Sequence, residues 1–234
     1  MSKGRILIVE DDLDGADILD AYLNREGFQT RQAADGHQAL ELYRRWRPDL
    51  VLLDVMLPGL SGNEVLAAIR QHASTAVIMV TAVADQPRLI NSLLYGADDY
   101  VVKPYHPGEV VARVHAVLRR MLRPLSGAAQ QAVLRHGALT LDPDAALATV
   151  DKDGHPQALT LTRTELNLLA LMMAAPTRMF SRAELLAHSQ PESDAMERVV
   201  DAHLHNLRRK LEQAGIREVV VTVRGLGYRF RNPS

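Results

Sequence analysis

The first half of the chain alternates short apolar runs with amphipathic stretches. The runs are residues 6–9, 51–53, 77–80 and 100–102, with a weaker one at 28–34. Unbroken apolar runs of this length suit strands buried on both faces, as in a parallel sheet covered by helices. The periodicity around them predicts helices over 13–26, 36–46, 62–71, 86–95 and 107–121. Five strand–helix repeats define a doubly wound α/β domain with a five-stranded parallel sheet. The reactive edge of such a sheet lies at the carboxyl ends of its strands, where the strand order switches.

The pattern breaks at Arg123-Pro124-Leu125-Ser126-Gly127-Ala128, so we divide the chain into a first domain at 1–122, a linker at 123–132 and a second domain at 133–234. The second domain reads as α+β. Strand-like pieces at 137–141, 146–150 and 157–161 are separated by Asp-Pro and Asp-Gly turn signals. Helices follow over 162–174, 181–188 and 195–213. A hairpin from 219–223 turns at Gly225-Leu226-Gly227 into 228–231.

In the 195–213 helix Val200, Leu204, Leu207 and Leu211 form one apolar stripe. At 100° per residue the opposite face carries Arg198, Ala202, His205 and Arg209, flanked by Asn206 and Arg208. A helix buried along one side and basic along the other suits a DNA major groove, and Arg224 at a glycine-rich hairpin tip suits a wing reaching the next groove or phosphate. A solvated charged face is the plainer reading of such a helix on its own. His203 and His205 are not at a metal-binding spacing.

Composition changes this picture only locally. The chain of 234 residues is 47% hydrophobic and 24% charged, has no cysteine, and carries a formal net charge of −1. Disulfide and thiolate chemistry are therefore excluded. The charge is unevenly placed: residues 198–231 hold eight Arg or Lys against Asp201, Glu212 and Glu218, a net +5. The first apolar run is too short for a signal-peptide core or a membrane span, so the expected location is the cytoplasm.

The predicted strand ends bring polar residues to one edge. Strand 1 runs into Glu10-Asp11-Asp12, strand 3 ends in Asp54, strand 4 in Thr81, and strand 5 runs into Lys103-Pro104. Clustered carboxylates repel one another, and an oxygen-rich acidic site suits Mg²⁺. A carboxylate nucleophile beside a divalent cation, a hydroxyl and an ammonium is a constellation for phosphoryl transfer. Taken singly, the Asp pair reads as a helix N-cap and the Thr and Lys-Pro as turn residues.

The segments Ile6-Leu7-Ile8-Val9-Glu10-Asp11-Asp12, Leu52-Leu53-Asp54-Val55-Met56-Leu57-Pro58-Gly59, Val80-Thr81-Ala82 and Gly96-Ala97-Asp98-Asp99-Tyr100-Val101-Val102-Lys103-Pro104 resemble a CheY-like receiver domain over residues 4–121. The resemblance implies that Asp54 is the phosphoacceptor. It implies a Mg²⁺ site formed by Glu10, Asp11, Asp54 and the backbone carbonyl of Met56. It also makes Thr81 and Tyr100 the switch pair, Lys103 the phosphate-binding lysine, and the Lys103–Pro104 bond cis. Tyr105 stands where Phe is usual.

Over about 133–231 the chain resembles the winged-helix effector domain of the OmpR/PhoB family. The carrying residues are Leu161-Thr162-Arg163-Thr164-Glu165, Ser181-Arg182-Ala183-Glu184-Leu185-Leu186, Arg198-Val199-Val200-Asp201-Ala202-His203-Leu204, Leu207-Arg208-Arg209-Lys210-Leu211 and Thr222-Val223-Arg224-Gly225-Leu226-Gly227-Tyr228-Arg229-Phe230. By that resemblance Arg198, Asn206, Arg208 and Arg224 are DNA contacts, with His205, Arg209 and Thr222 beside them. Asn206 stands where Arg is frequent, which shifts the expected base preference from guanine to adenine.

The expected partners are a sensor histidine kinase, promoter DNA with paired half-sites, RNA polymerase, and a second copy of the chain once phosphorylated. The resemblance implies a dimer surface of Asp98, Asp99, Glu109, Arg113 and Arg120, with Leu89 standing where a basic residue is usual. The loop at 188–194 lacks the tryptophan of many relatives. The stretches Ser193-Asp194-Ala195-Met196-Glu197-Arg198 and Tyr228-Arg229-Phe230-Arg231-Asn232-Pro233 resemble the subgroup that regulates multidrug efflux and envelope stress.

Two rival readings are a Mg²⁺-dependent phosphohydrolase and a DNA-binding protein that uses its first domain as a fixed dimer scaffold. A haloacid-dehalogenase type of hydrolase needs a second acid two residues after Asp54, where Met56 stands. No Gly-rich turn follows strand 1, so a dinucleotide enzyme is not expected. The intact acidic set speaks against the scaffold.

Overall fold

In the computed structural model the described residues are 3–72, 74–82, 96–122, 132–189 and 198–231, apart from the side chains of His72, Arg120, Ser189 and Arg198. The helix expected over 86–95 with Leu89, residues 123–131 of the expected linker and the segment at 190–197 lie outside them. The chain divides into two units, Met1–Met121 and Leu122–Ser234.

In the first unit β1 (Arg5–Val9), β2 (Gln29–Ala33), β3 (Leu50–Asp54), β4 (Ala76–Ala82) and β5 (Asp99–Lys103) alternate with α1 (Leu13–Arg25), α2 (Gly36–Trp46), α3 (Gly62–His72) and α4 (Pro107–Leu122). All five strands are parallel, in the order β2-β1-β3-β4-β5. The order switches between β1 and β3, so a crevice opens where Glu10 and Asp54 leave the sheet. Ile8, Leu52 and Val101 share the face packed against α1 and α4, where Leu19, Leu23, Val110 and Val114 complete the core. Strand parity carries this face two residues on, to Glu10, Asp54 and Lys103. Met79 pairs with Tyr100 and Thr81 with Val102, which puts Thr81 and Tyr100 on the other face.

Among the described residues the second unit holds two antiparallel sheets. One, in the order β6-β7-β8-β9, is built from β6 (Leu134–His136), β7 (Leu139–Asp142), β8 (Leu147–Lys152) and β9 (His155–Ala158). The other, β10-β12-β11, joins β10 (Met179–Phe180) to the hairpin of β11 (Val220–Val223) and β12 (Gly227–Phe230). The strand expected at 137–141 is β7, and it begins two residues later. Gly137, at φ +59°, makes the turn that brings the chain back from β6, a short strand the apolar pattern does not show.

The helices of this unit are α5 (Arg163–Ala174), α6 (Arg182–Ser189) and α7 (Arg198–Gln213). Val200, Leu204, Leu207 and Leu211 are buried with Leu168, Leu169, Phe180 and Phe230. Each such side chain contributes roughly 1.5–3 kcal/mol. Among the described residues no helix is long and apolar enough to cross a membrane.

Candidate functional site: an acidic pocket and an exposed basic helix and wing

Glu10 and Asp54 are buried, Asp11 is exposed, and each can place a carboxylate oxygen within 4.8 Å of the others. Lys103 Nζ bridges the two buried acids, donating to Glu10 Oε2 at 2.6 Å and to Asp54 Oδ2 at 2.6 Å. The Met56 amide donates to Asp54 Oδ1 at 2.8 Å, which fixes the carboxylate. Asp12 is used differently, capping α1 by accepting from the Asp14 amide. The Lys103–Pro104 peptide bond is cis. Thr81 is buried, and its Oγ1 has no hydrogen-bond partner among the described residues. A buried hydroxyl left in this way carries a desolvation cost that an incoming acceptor would relieve. Tyr100 is half-buried.

The charge balance of the pocket is strained by burial. Burial pushes the Glu10 carboxyl above its ordinary value of 4.5. The Lys103 hydrogen bond partly opposes this, and the Asp54 charge adds to the rise. Burial alone would lower Lys103, but its hydrogen bonds to Asp54 and Glu10 hold it above the usual lysine range. A carboxyl raised in the folded state loses stability as pH climbs through its folded pKa. Glu10→Gln should therefore stabilise the cation-free first unit at neutral pH, by on the order of 1 kcal/mol. The gain should fade as pH falls below 4.5, where Glu10 becomes neutral in both states. Urea melts followed by fluorescence of Trp46, the single tryptophan of the chain, read this directly. A variant less stable than wild type at pH 7 would contradict it.

The loop after Asp54 is held by features not read from the sequence. Ser61 and Glu64 form a capping box: Glu64 Oε2 accepts from the Ser61 amide at 2.9 Å and from its hydroxyl at 2.6 Å. The Ser-x-x-Glu spacing is a readable signal for it. Gly62 packs directly on Asp54, since a Cβ there would sit 1.9 Å from the Asp54 carbonyl oxygen. That approach is visible only in three dimensions.

Part of the expected dimer surface is not a surface. Asp98 is buried, and its Oδ2 accepts from Arg70 Nη2 at 2.7 Å and from the Val77 amide at 2.9 Å. Arg70 also donates to the carbonyls of Gly96 at 2.7 Å and Thr75 at 2.5 Å. The expectation that Asp98 faces a second protomer is corrected: a long guanidinium from α3 reaches under β4 and turns it inward. Asp99 is buried beside Arg113 Nη1, 3.5 Å away, while Arg113 also binds Glu109 at 2.9 Å.

In the second unit α7 is buried over a wider arc than its four-residue stripe. Asn206, Ala202 and His203 are buried with it, so Asn206 is corrected from a base-reading residue to one packed within the unit. His205 and Arg209 are exposed on the opposite face, as are Thr222 and Arg224 on the wing. Arg208 is drawn partly inward. Its Nε donates to the Val220 carbonyl at 2.5 Å, its Nη2 donates to Thr222 Oγ1 at 2.7 Å, and its guanidinium lies 5.5 Å from the Tyr228 ring. Nothing in the residue pattern signals this tie or its neighbour, in which Asp201 Oδ1 accepts from Arg182 Nε at 2.8 Å and from the Tyr228 hydroxyl at 2.7 Å. These bonds lock α6, α7 and the wing to one another.

A doubly wound unit with an acidic, lysine-bridged pocket and a winged helix with an exposed basic face together define a receiver joined to a DNA-binding domain. Residues 6–115 match the response regulator receiver domain, and residues 156–230 match the C-terminal domain of transcriptional regulatory proteins. The chain is 38% identical over 231 residues to the phosphate regulon transcriptional regulatory protein PhoB of Klebsiella pneumoniae, covering 97% of both chains. It is 39% identical to the DNA-binding response regulator MtrA of Mycolicibacterium smegmatis, over 99% of this chain and 98% of that one. Among solved structures, DrrB, a Thermotoga maritima OmpR/PhoB homolog, aligns with 99% of the chain and 100% of its own at 27% identity, with a TM-score of 0.50. A mutant of RitR shares the fold at a TM-score of 0.80 over 98% of this chain and 99% of its own, at 24% identity.

The chain belongs to the OmpR/PhoB family of response regulators. It is a transcriptional regulator and not an enzyme, and its two domains imply a histidine-kinase partner and promoter DNA.

Proposed function

We propose that Asp54 accepts a phosphoryl group from a sensor histidine kinase in the cytoplasm, and that the modified chain pairs with a second copy on promoter DNA. The observation that carries this reading is the buried Asp54 carboxylate held between Lys103 Nζ and the Met56 amide. The three carboxylates fit a hard divalent cation, and Glu10, Asp11, Asp54 and the Met56 carbonyl would hold Mg²⁺. Bound there, Mg²⁺ supplies charge neutralisation for the transferring phosphoryl group. Lys103 shares that role, and the unsatisfied Thr81 hydroxyl donates to a phosphoryl oxygen. Capturing Thr81 clears room for the Tyr100 ring on the same sheet face, which couples the pocket to β5 and α4. Exposed Leu13 and Met56 beside the pocket, with Ile18 and Tyr22 along α1, offer the kinase an apolar contact.

The dimer contact falls to Glu109, Arg113 and Arg120, with the buried Asp99 acting through Arg113 and Asp98 turned inward. On DNA, His205 and Arg209 read the major groove together with Arg198, while Thr222 and Arg224 reach the backbone or the adjacent groove. Arg208 holds the wing in place. RNA polymerase is then met by the promoter-bound dimer.

Beryllofluoride with Mg²⁺ should convert the chain to a dimer in sedimentation velocity. It should also tighten binding to a paired-half-site operator by on the order of 100-fold through effective concentration. The logarithm of the affinity should fall with the logarithm of salt by about 0.9 per neutralised phosphate. A chain that stays monomeric at high concentration with beryllofluoride would rule out the dimer. Salt-independent binding would rule out the phosphate contacts.

A further inference from the structure

The wing tip carries an apolar residue where charge alone would serve. Leu226 is 56% exposed and lies outside the apolar core of its unit. It sits between exposed Arg224 and the root of the hairpin, and residues 219–231 contain three Arg and no acid. The tip is built not to fold back. The Leu226 amide donates to the Val223 carbonyl at 3.0 Å, closing a four-residue turn that needs Gly225 at φ +75°. Gly227, at φ +124°, presses so closely on β10 that a Cβ would lie 2.1 Å from the Phe180 carbonyl oxygen. Behind the tip, Arg208 and Tyr228 tie both hairpin strands to α7. Leu226 is thus presented at a fixed offset from His205 and Arg209.

A rigid basic tip displaced from a helix in the major groove meets the neighbouring minor groove. There A·T pairs show only acceptors, and G·C pairs add the guanine N2 amine, a donor. Arg224 is satisfied by the acceptors. Leu226 cannot accept from the amine, so covering it leaves a donor buried and unpaired. Against an A·T floor the same side chain packs on the sugar walls at no such cost.

We propose that Leu226 is a specificity residue of the wing, lying on the minor-groove floor and selecting against the guanine N2 amine. This rests on the DNA-binding reading above. The test uses the full chain with beryllofluoride on a duplex chosen by selection from random sequence. Hydroxyl-radical protection that is lost in Arg224→Ala locates the base pairs under the wing. Those pairs are then made A·T, I·C or G·C, inosine being guanine without the amine. Wild type should bind the A·T and I·C duplexes about fivefold or more tightly than G·C. Leu226→Asn, which can accept from the amine, should bring the ratio close to one with the salt slope unchanged. Arg224→Ala should instead make the slope shallower by about one phosphate. Equal binding of all three duplexes by wild type, or a ratio that survives in Leu226→Asn, would overturn the proposal. Failure of wild type to select any DNA would overturn the DNA-binding reading itself, a separate result.

Discussion

A chain with Asp54 replaced by alanine should take up no phosphoryl group from acetyl phosphate and should bind its operator with one affinity, donor or no donor. No neighbouring carboxylate can stand in. The Met56 amide goes to Asp54, Asp12 caps α1, and Asp11 is exposed at the rim. Asp54 lies between an ammonium at 2.6 Å and a backbone amide at 2.8 Å, the geometry that would orient a carboxylate for attack and screen the incoming charge. The whole donor-dependent gain, on the order of 100-fold, should therefore vanish. Misfolding would not explain the loss, because Glu10 keeps Lys103 paired and one acid fewer crowds the pocket. The Trp46 melting midpoint should hold or rise. Phosphoryl label found on another residue, or an operator affinity that still responds to donor, would remove Asp54 from its assigned role. Equal, tight binding in every case would instead favour the receiver as a fixed scaffold.

The largest stability effect should come from a residue that takes no part in phosphoryl transfer. Arg70→Met removes three donated hydrogen bonds and takes from the buried Asp98 its Arg70 partner. Breaking one side of a buried ion pair costs about 3–5 kcal/mol. With a urea dependence of roughly 1–3 kcal/mol per molar, the midpoint read by Trp46 should fall by on the order of 2 M. Trp46 lies in the first unit, so the second unit does not blur the reading. Adding Asp98→Asn to Arg70→Met should recover part of the loss, since the carboxylate that has lost its Arg70 partner no longer carries a charge. If the single and double variants melt at the wild-type midpoint, the pair is not holding β4 to the turn before β5.

Much of the receiver was legible because parallel strands buried on both faces write themselves as unbroken apolar runs, and their ends mark one edge of the sheet. Glu10, Asp54 and Lys103 therefore converge as their strand positions require. The apolar stripe of α7 was legible for a similar reason: Val200, Leu204, Leu207 and Leu211 follow the helical period. The missed caps at Ser61 and Glu64 and at Thr162 and Glu165 were present in the spacing. The latter is a full capping box whose Glu165 also accepts from Lys210 at 2.6 Å.

Other assignments depended on what packs from elsewhere in the chain. Periodicity places Asn206 on the flank of α7, but how far up that flank the core rises is set by neighbouring elements, and here they cover it. Asp98 reads as one of two equal acids in Asp98-Asp99, yet Arg70, 28 residues away, decides that it faces inward. Arg208 reads as a groove contact until Val220 and Thr222 claim its donors.

Asp54 as a carboxylate at a strand end, beside two acids and opposite a lysine, was determined by the sequence alone, because local periodicity fixes where a strand stops and which face each residue takes. Only the tertiary structure decided which charges remain free to act. A long side chain commits its donors to whichever buried acceptors lie within reach, and that reach crosses elements the local pattern does not connect.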